Sequence, residues 1–347
     1  MTPGLRPVAA SGPSVAGGVV RAWVDLATAR GAPREALLAR SGLEPRILED
    51  QDGRLPLAKL VTLIRVAKEL CHDPALALRF GETVDCAEYS VASMISYACT
   101  TVGDALIQRN RYGRLLAELP CDQPDRFVLE HARGRVWLID TRSDPNQVPE
   151  LTETFFSRVA WAARQQGPFL QAAHFTWPEP SYRAEYDRVF GVPLAFARRR
   201  NALLLDAAWL RQRVAVAPRY VFAILSAHAD ALLARLDGAK TTRGRVEGLL
   251  MPILHTGDAS IELVARELGL SRQTLHRRLR AEGVTFAKVL DELRHTLAVH
   301  YLQGKRVSVS EAAYLVGFSD PAAFSRAFKR WTGTRPHLAR RGPVPAQ

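Results

Sequence analysis

The chain has 347 residues, 47% of them hydrophobic, and carries 47 Lys+Arg against 35 Asp+Glu for a net charge of +12. That length suits two or three domains, and the apolar fraction is ample for packed cores. No apolar run approaches the 18 or more residues of a helical membrane span, so membrane partners are not expected. The charge is uneven: from Lys240 onward there are 18 Lys+Arg and 9 Asp+Glu, so +9 of the +12 lies there. An excess of that kind suits neutralisation of nucleic-acid phosphates. The four cysteines, Cys71, Cys86, Cys99 and Cys121, show no CxxC and no zinc-finger spacing. Reduced thiols in a cytoplasmic protein, with no metal site, are the expectation.

In chain order, the opening MTPGLRPVAASGPSVAGG is rich in Pro, Gly and Ser and has no continuous apolar stretch of signal-peptide type. Residues 1–17 are therefore expected to be a disordered lead-in. Helical periodicity follows at 18–30, 57–70, 102–119, 149–166 and 218–236, and strand-like runs lie at 126–131, 135–141, 170–177 and 202–206. Ala132-Arg133-Gly134 between the first two runs is a hairpin signal. Helices around a small, mostly antiparallel sheet make residues 18–236 an α+β domain, suited to sensing an effector and to dimerisation. The segment 237–244, DGAKTTRG, reads as a linker.

No catalytic constellation is present in the α+β domain: there is no GxSxG, HExxH or GxxxxGK[ST], and no GxGxxG after a strand. His72, His131, His174 and His228 stand isolated, and no pair of carboxylates can be read. No enzyme activity and no cofactor are expected. The residues Trp137, Phe155, Arg158, Trp161 and His174, with Phe156 and Trp177 near them, are candidates to line a pocket for an unknown small-molecule effector. The same aromatics would serve equally as an ordinary core. In the helix at 218–236, Val221, Leu225, Leu232 and Leu236 fall near one stripe, either a homodimer contact or the buried side of an amphipathic helix.

The last hundred residues contain a pattern twice. SIELVARELGLSRQTLHRRL begins at Ser260 and SVSEAAYLVGFSDPAAFSRAF begins at Ser308, and Ser260, Ala265, Gly269 and Ser271 recur 48 residues later as Ser308, Ala313, Gly317 and Ser319. Each copy reads as a helix, a tight turn on a glycine and a second helix, the sequence form of a helix-turn-helix, at 260–281 and 308–331. The alanines suit a close helix crossing and the glycines a positive φ. Ser271 and Ser319 are expected to cap the second helices, Ser308 with Glu311 fits a capping box, and Pro321 suits a first helical position. Leu275 and Leu279, and Phe324 and Phe328, lie four apart and are expected in the core. Between the copies, residues 286–303 form a helix of about 27 Å with one apolar stripe, Phe286, Val289, Leu290, Leu293, Leu297 and Tyr301. Such a rod would set the two second helices about one DNA turn, ~34 Å, apart.

From about 245 to 340 the chain resembles the DNA-binding domain of AraC/XylS-type transcription regulators. The likeness rests on GLSRQTLHRRLRAEGVTF, LRHTLAVHYL and, most specifically, VSEAAYLVGFSDPAAFSRAFKRWTGTRP. It implies an all-α domain of seven helices with two recognition helices in successive major-groove segments. Further upstream, ALALRFGE and TVGDALIQRNRYGRLL are similar to the "arabinose-binding" N-terminal domain of one subgroup of these regulators. No double-histidine pattern of a sugar-binding cupin accompanies them, so the label does not name a ligand.

On this reading the protein is a sequence-specific regulator on double-stranded DNA, with RNA polymerase as a further partner if it activates. Arg272, Gln273, His276 and Arg277 are candidates for base edges in the first unit, since Arg and Gln match guanine and adenine bidentately. Ala322, Ser325, Arg326 and Lys329 are their equivalents in the second. Ser271, Thr274, Arg278, Arg280, Lys305, Arg306, Ser319 and Arg330 are assigned to phosphates. Two rivals stay open: a regulator switched by a protein partner without a small ligand, and a weakly specific architectural DNA binder.

Overall fold

The structure, a computed structural model, describes residues 12–132, 134–214, 219–303 and 307–339. The chain divides into two compact units, Ala10–Leu233 and one built on Ala234–Gln347.

In the first unit two buried clusters are built side by side. One is helical: α1 (Gly17–Ala29), α2 (Arg34–Ser41), α3 (Leu57–Leu70) and α4 (Leu76–Thr83) pack around Trp23, Leu37, Leu60, Leu63 and Ile64, with Trp23 stacked on Phe80 at 4.6 Å. A two-stranded antiparallel sheet, β1 (Ser14–Ala16) with β2 (Arg54–Pro56), joins it. Thus the end of the expected lead-in is ordered. The reason lies in two glycines: a Cβ on Gly17 would meet the Asp50 carbonyl oxygen at 2.3 Å and one on Gly18 the Tyr89 carbonyl oxygen at 2.0 Å. These glycines serve close backbone approach, whereas their composition alone suggests disorder.

The second cluster is a sheet covered by a helix. After α5 (Val91–Tyr97) and α6 (Val102–Leu116) come β3 (Phe127–Ala132), β4 (Arg135–Asp140), α7 (Glu150–Gln166), β5 (Leu170–His174), α8 (Arg183–Phe190), β6 (Leu194–Ala195), β7 (Asn201–Asp206) and α9 (Arg219–Gly238). The strands lie in the order β3-β4-β7-β5-β6, antiparallel except for β5 with β6. Pairing of Ala132 with Arg135 leaves a two-residue turn in which Gly134 has φ +79°. Strand alternation buries Val136 and Leu138 of β4 and Leu203 and Leu205 of β7 against Phe156, Val159, Ala160 and Ala163 of α7. Those four recur at helical spacing, and each large side chain so buried contributes about 1.5–3 kcal/mol. Close contact of α4 with α7 is permitted by Gly81, whose Cβ would fall 1.8 Å from Ser157 Oγ.

In the second unit seven α-helices are found among the described residues: α10 (Thr242–Leu250), α11 (Ile261–Glu267), α12 (Arg272–Ala281), α13 (Phe286–Gln303), α14 (Val309–Leu315), α15 (Pro321–Thr332) and α16 (Pro336–Ala339). α9 runs through Gly238, and Thr241 caps α10 by accepting the N–H of Gly244. Val289, Leu293, Ala298 and Leu302 of α13 join Leu275, Leu279, Phe324 and Phe328 in one core.

Candidate nucleic-acid interface

Each helix-turn-helix is built by local rules. Ser260 caps α11 by accepting the N–H of Leu263 at 3.2 Å, Gly269 turns the chain at φ +65°, and Ser271 caps α12 by accepting the N–H of Thr274 at 3.1 Å. Ala265 is buried where α11 meets its neighbours. With Leu275 and Leu279 pinned in the core, the opposite side of α12 faces solvent: Arg272, Gln273, His276, Arg277, Arg278 and Arg280 are exposed, and Thr274 is half-buried. At 3.6 residues per turn, Arg272, Gln273, His276 and Arg277 share one face. Arg272 meets Glu262 at 3.2 Å, an exposed pair worth about 0–1 kcal/mol that DNA can displace.

In the second copy Ser308 and Glu311 form the capping box, with the Ser308 N–H donating to Glu311 Oε2 at 2.6 Å. Gly317 follows α14 at φ +80°. The cap of α15 is not Ser319 but Asp320, which accepts the N–H groups of Ala322 and Ala323 at 2.9 and 3.0 Å. Those bonds hold its carboxyl below the usual range. Pro321 takes the first helical position, so the residue just before it, one later than Ser319, is the one placed to cap. Ala322, Arg326, Lys329, Arg330 and Ser319 are exposed and Ser325 is half-buried. Arg330 is held by Asp291 at 2.7 Å, and Arg326 lies 3.9 Å from Asp320. Lys305 and Arg306 fall outside the described residues.

The five effector candidates in the first unit do not meet at one place. Trp137 of β4 lies 4.7 Å from His174 of β5, with Arg200 over the indole at 5.5 Å. Burial and the charges of Arg198 and Arg200 push the His174 imidazole below its ordinary value. Phe155 stacks on Phe127 at 3.8 Å, while Arg158 covers Trp161 at 5.0 Å and donates to the Val84 carbonyl. Phe156 and Trp177 are core. A cavity of about 260 Å³ opens elsewhere, between α6 and the chain entering β3, with Arg109, Arg126 and Phe127 among its lining. The pairing of Arg109 with Arg126 escapes a reading by motif because one comes from α6 and the other from the chain entering β3. Among the described residues no group of His, Cys, Asp and Glu could hold a metal ion, and no helix is long and apolar enough to cross a membrane.

An α+β unit ahead of a seven-helix unit with two exposed basic second helices defines a two-part DNA-binding transcription regulator. The family described as "Arabinose-binding domain of AraC transcription regulator, N-term" matches residues 31–214, and a helix-turn-helix domain family matches residues 264–342. The chain belongs to the AraC family of transcription regulators. It is similar to the ornithine utilization regulator of Pseudomonas aeruginosa, 28% identical over 330 residues that span 93% of this chain and 95% of that one. It is 25% identical over 324 residues to the regulator VirS of Mycobacterium tuberculosis, spanning 92% and 94% of the two chains. The transcriptional activator RhaS of Escherichia coli is 40% identical over 82 residues, 23% of this chain and 30% of that one. Among solved structures, the regulator CdpR from Pseudomonas aeruginosa matches with 24% identity over 89% of this chain and 96% of its own, at a TM-score of 0.40.

Proposed function

We propose that the protein is a sequence-specific regulator that reads two neighbouring major-groove segments with α12 and α15, under the control of a small molecule bound by the first unit. The observation that carries the reading is the composition of the two exposed faces. Arg272, Gln273, His276 and Arg277 on one differ from Ala322, Ser325, Arg326 and Lys329 on the other, although both helices are seated by equivalent core pairs. A binder that needs only phosphate contact has no use for that difference. Ser271, Thr274, Arg278, Arg280, Ser319 and Arg330 flank the reading faces and take backbone contacts. Among relatives spanning nearly the whole chain is an ornithine utilization regulator, which makes amino acids sensible first effectors to try. A cytoplasmic location and, for an activator, RNA polymerase as a partner follow from the same reading.

Affinity selection of genomic DNA by the purified protein at physiological salt, followed by sequencing, tests it. Enrichment of a bipartite site with halves about one helical turn apart is expected. Diffuse enrichment abolished by added salt would leave only phosphate binding.

Dimerisation is proposed through α9. Val221, Leu225 and Leu232 are half-buried and Leu236 is buried, so the free apolar surface is that of Tyr220 and Ile224, 76% and 52% exposed. A monomeric mass at micromolar concentration, with and without DNA, would exclude it.

A further inference from the structure

The cavity of about 260 Å³ beside α6 combines an apolar wall with a cation that has no ion-pair partner among the described residues. Arg109 reaches it from α6. Its guanidinium lies over the Phe155 ring at 5.3 Å, and its Nε is sealed from solvent with no hydrogen-bond partner among the described residues. The carboxylate whose charge acts on it, Asp140, is engaged elsewhere. It accepts Arg126 Nε at 3.1 Å and Nη2 at 3.0 Å, the Thr152 hydroxyl at 2.8 Å and the N–H of Arg142, whose Nε lies 3.5 Å away. Two guanidiniums, those of Arg126 and Arg142, therefore take up the one carboxylate, and Arg109 is left with only its distant charge. Burial first, and then repulsion by Arg126, push Arg109 down to about 10, so it stays charged at pH 7. Cys86 supplies no counter-charge, because burial pushes its thiol up. An unpaired cation sealed at one atom costs stability, and a fold keeps one where something else pairs it.

Resting on the reading of the first unit as a small-molecule sensor, we infer that this cavity binds a small organic carboxylate, its anion on Arg109 and Arg126 and its apolar body against Phe127, Leu116 and Pro124. The volume sits just below the usual range for small-molecule sites, about 300–1,000 Å³, which restricts the occupant to a compact metabolite. A carboxylate suits the forked donors of arginine and removes the uncompensated charge.

Two variants of the full-length protein test this. Arg109→Met removes the cation and keeps the bulk. Gly113→Leu fills the cavity from α6, where an added Cβ meets nothing within 4 Å and a helix former replaces glycine. Thermal unfolding is followed for the wild type and both variants in buffer, and with benzoate, succinate, their neutral amides or inorganic phosphate. Both variants are expected to melt about 2–4 °C above the wild type in buffer alone. The wild type is expected to be raised by at least one carboxylate at millimolar concentration and not by its amide, and both variants to lose that rise. The inference falls if Arg109→Met melts lower than wild type in buffer, since the arginine would then be a structural element. It falls too if amide or inorganic phosphate matches the carboxylate, if no carboxylate acts, or if either variant keeps the response. A compound that alters DNA affinity equally in wild type and Arg109→Met would keep small-molecule control and remove only this site.

Discussion

Gly269 and Gly317 occupy the same place in the two repeats, and both have positive φ, +65° and +80°. Their surroundings differ. A Cβ on Gly269 would meet nothing within 4 Å, whereas one on Gly317 would fall 2.1 Å from the Leu254 carbonyl oxygen. Gly269→Ala should therefore cost only the left-handed penalty, about 1–2 kcal/mol. Gly317→Ala should cost that and the displacement of a backbone carbonyl, about 3 kcal/mol or more, as measured by urea unfolding. Equal losses would mean that the two turns are equally free. On the reading faces, Arg272→Ala should weaken the cognate site by roughly 1–3 kcal/mol and relax preference at one base position. A loss of the same size on random DNA would reassign Arg272 to phosphate.

At the scale of elements, α7 carries a buried acid that the sequence did not advertise. Glu153 is fully buried, and its Oε1 accepts the hydroxyls of Tyr186 and Tyr182, the latter at 2.9 Å, while Oε2 has no hydrogen-bond partner among the described residues. Burial outweighs the Tyr186 bond and lifts the carboxyl from 4.5 to about 7. The folded state thus holds a proton that the unfolded chain releases at lower pH. The stability this gives is complete below about pH 4.5 and is lost as pH rises through 7, amounting to about 3 kcal/mol. Between pH 5 and 8 the wild type should lose stability relative to Glu153→Gln; parallel pH profiles would show that Glu153 is ionised throughout. The long periodic elements, α1, α3, α6, α7, α9 and α13, and four of the sheet strands were legible because their apolar spacing is set by one dominant face. The short helices α2, α4, α5 and α8 and the two-residue β6 were not, since seven or eight residues give too few repeats for a period. Asp320 was hidden as a cap by the serine that aligns with Ser271, and Gly17 and Gly18 by the composition around them.

For the molecule as a whole, the DNA-facing site could be read because a repeat states the same geometry twice. The clusters around Asp140 and Glu153 could not, since each joins residues from separate elements that only tertiary packing brings together. The charge distribution permits a further argument. With +9 of the net +12 from Lys240 onward, a large sequence-independent part of the affinity should come from counterion release. If the five basic residues assigned to phosphates, Arg278, Arg280, Lys305, Arg306 and Arg330, each neutralise one, log K should fall against log salt with a slope of about −4 to −5. Cognate and random DNA should share that slope, and the ratio of their constants should stay nearly constant. Arg278→Gln should then flatten the slope by about one for both DNAs and leave the ratio unchanged, whereas Arg272→Ala should lower the ratio. If Arg278→Gln changed the ratio and Arg272→Ala the slope, the assignment of base and phosphate roles along α12 would have to be exchanged.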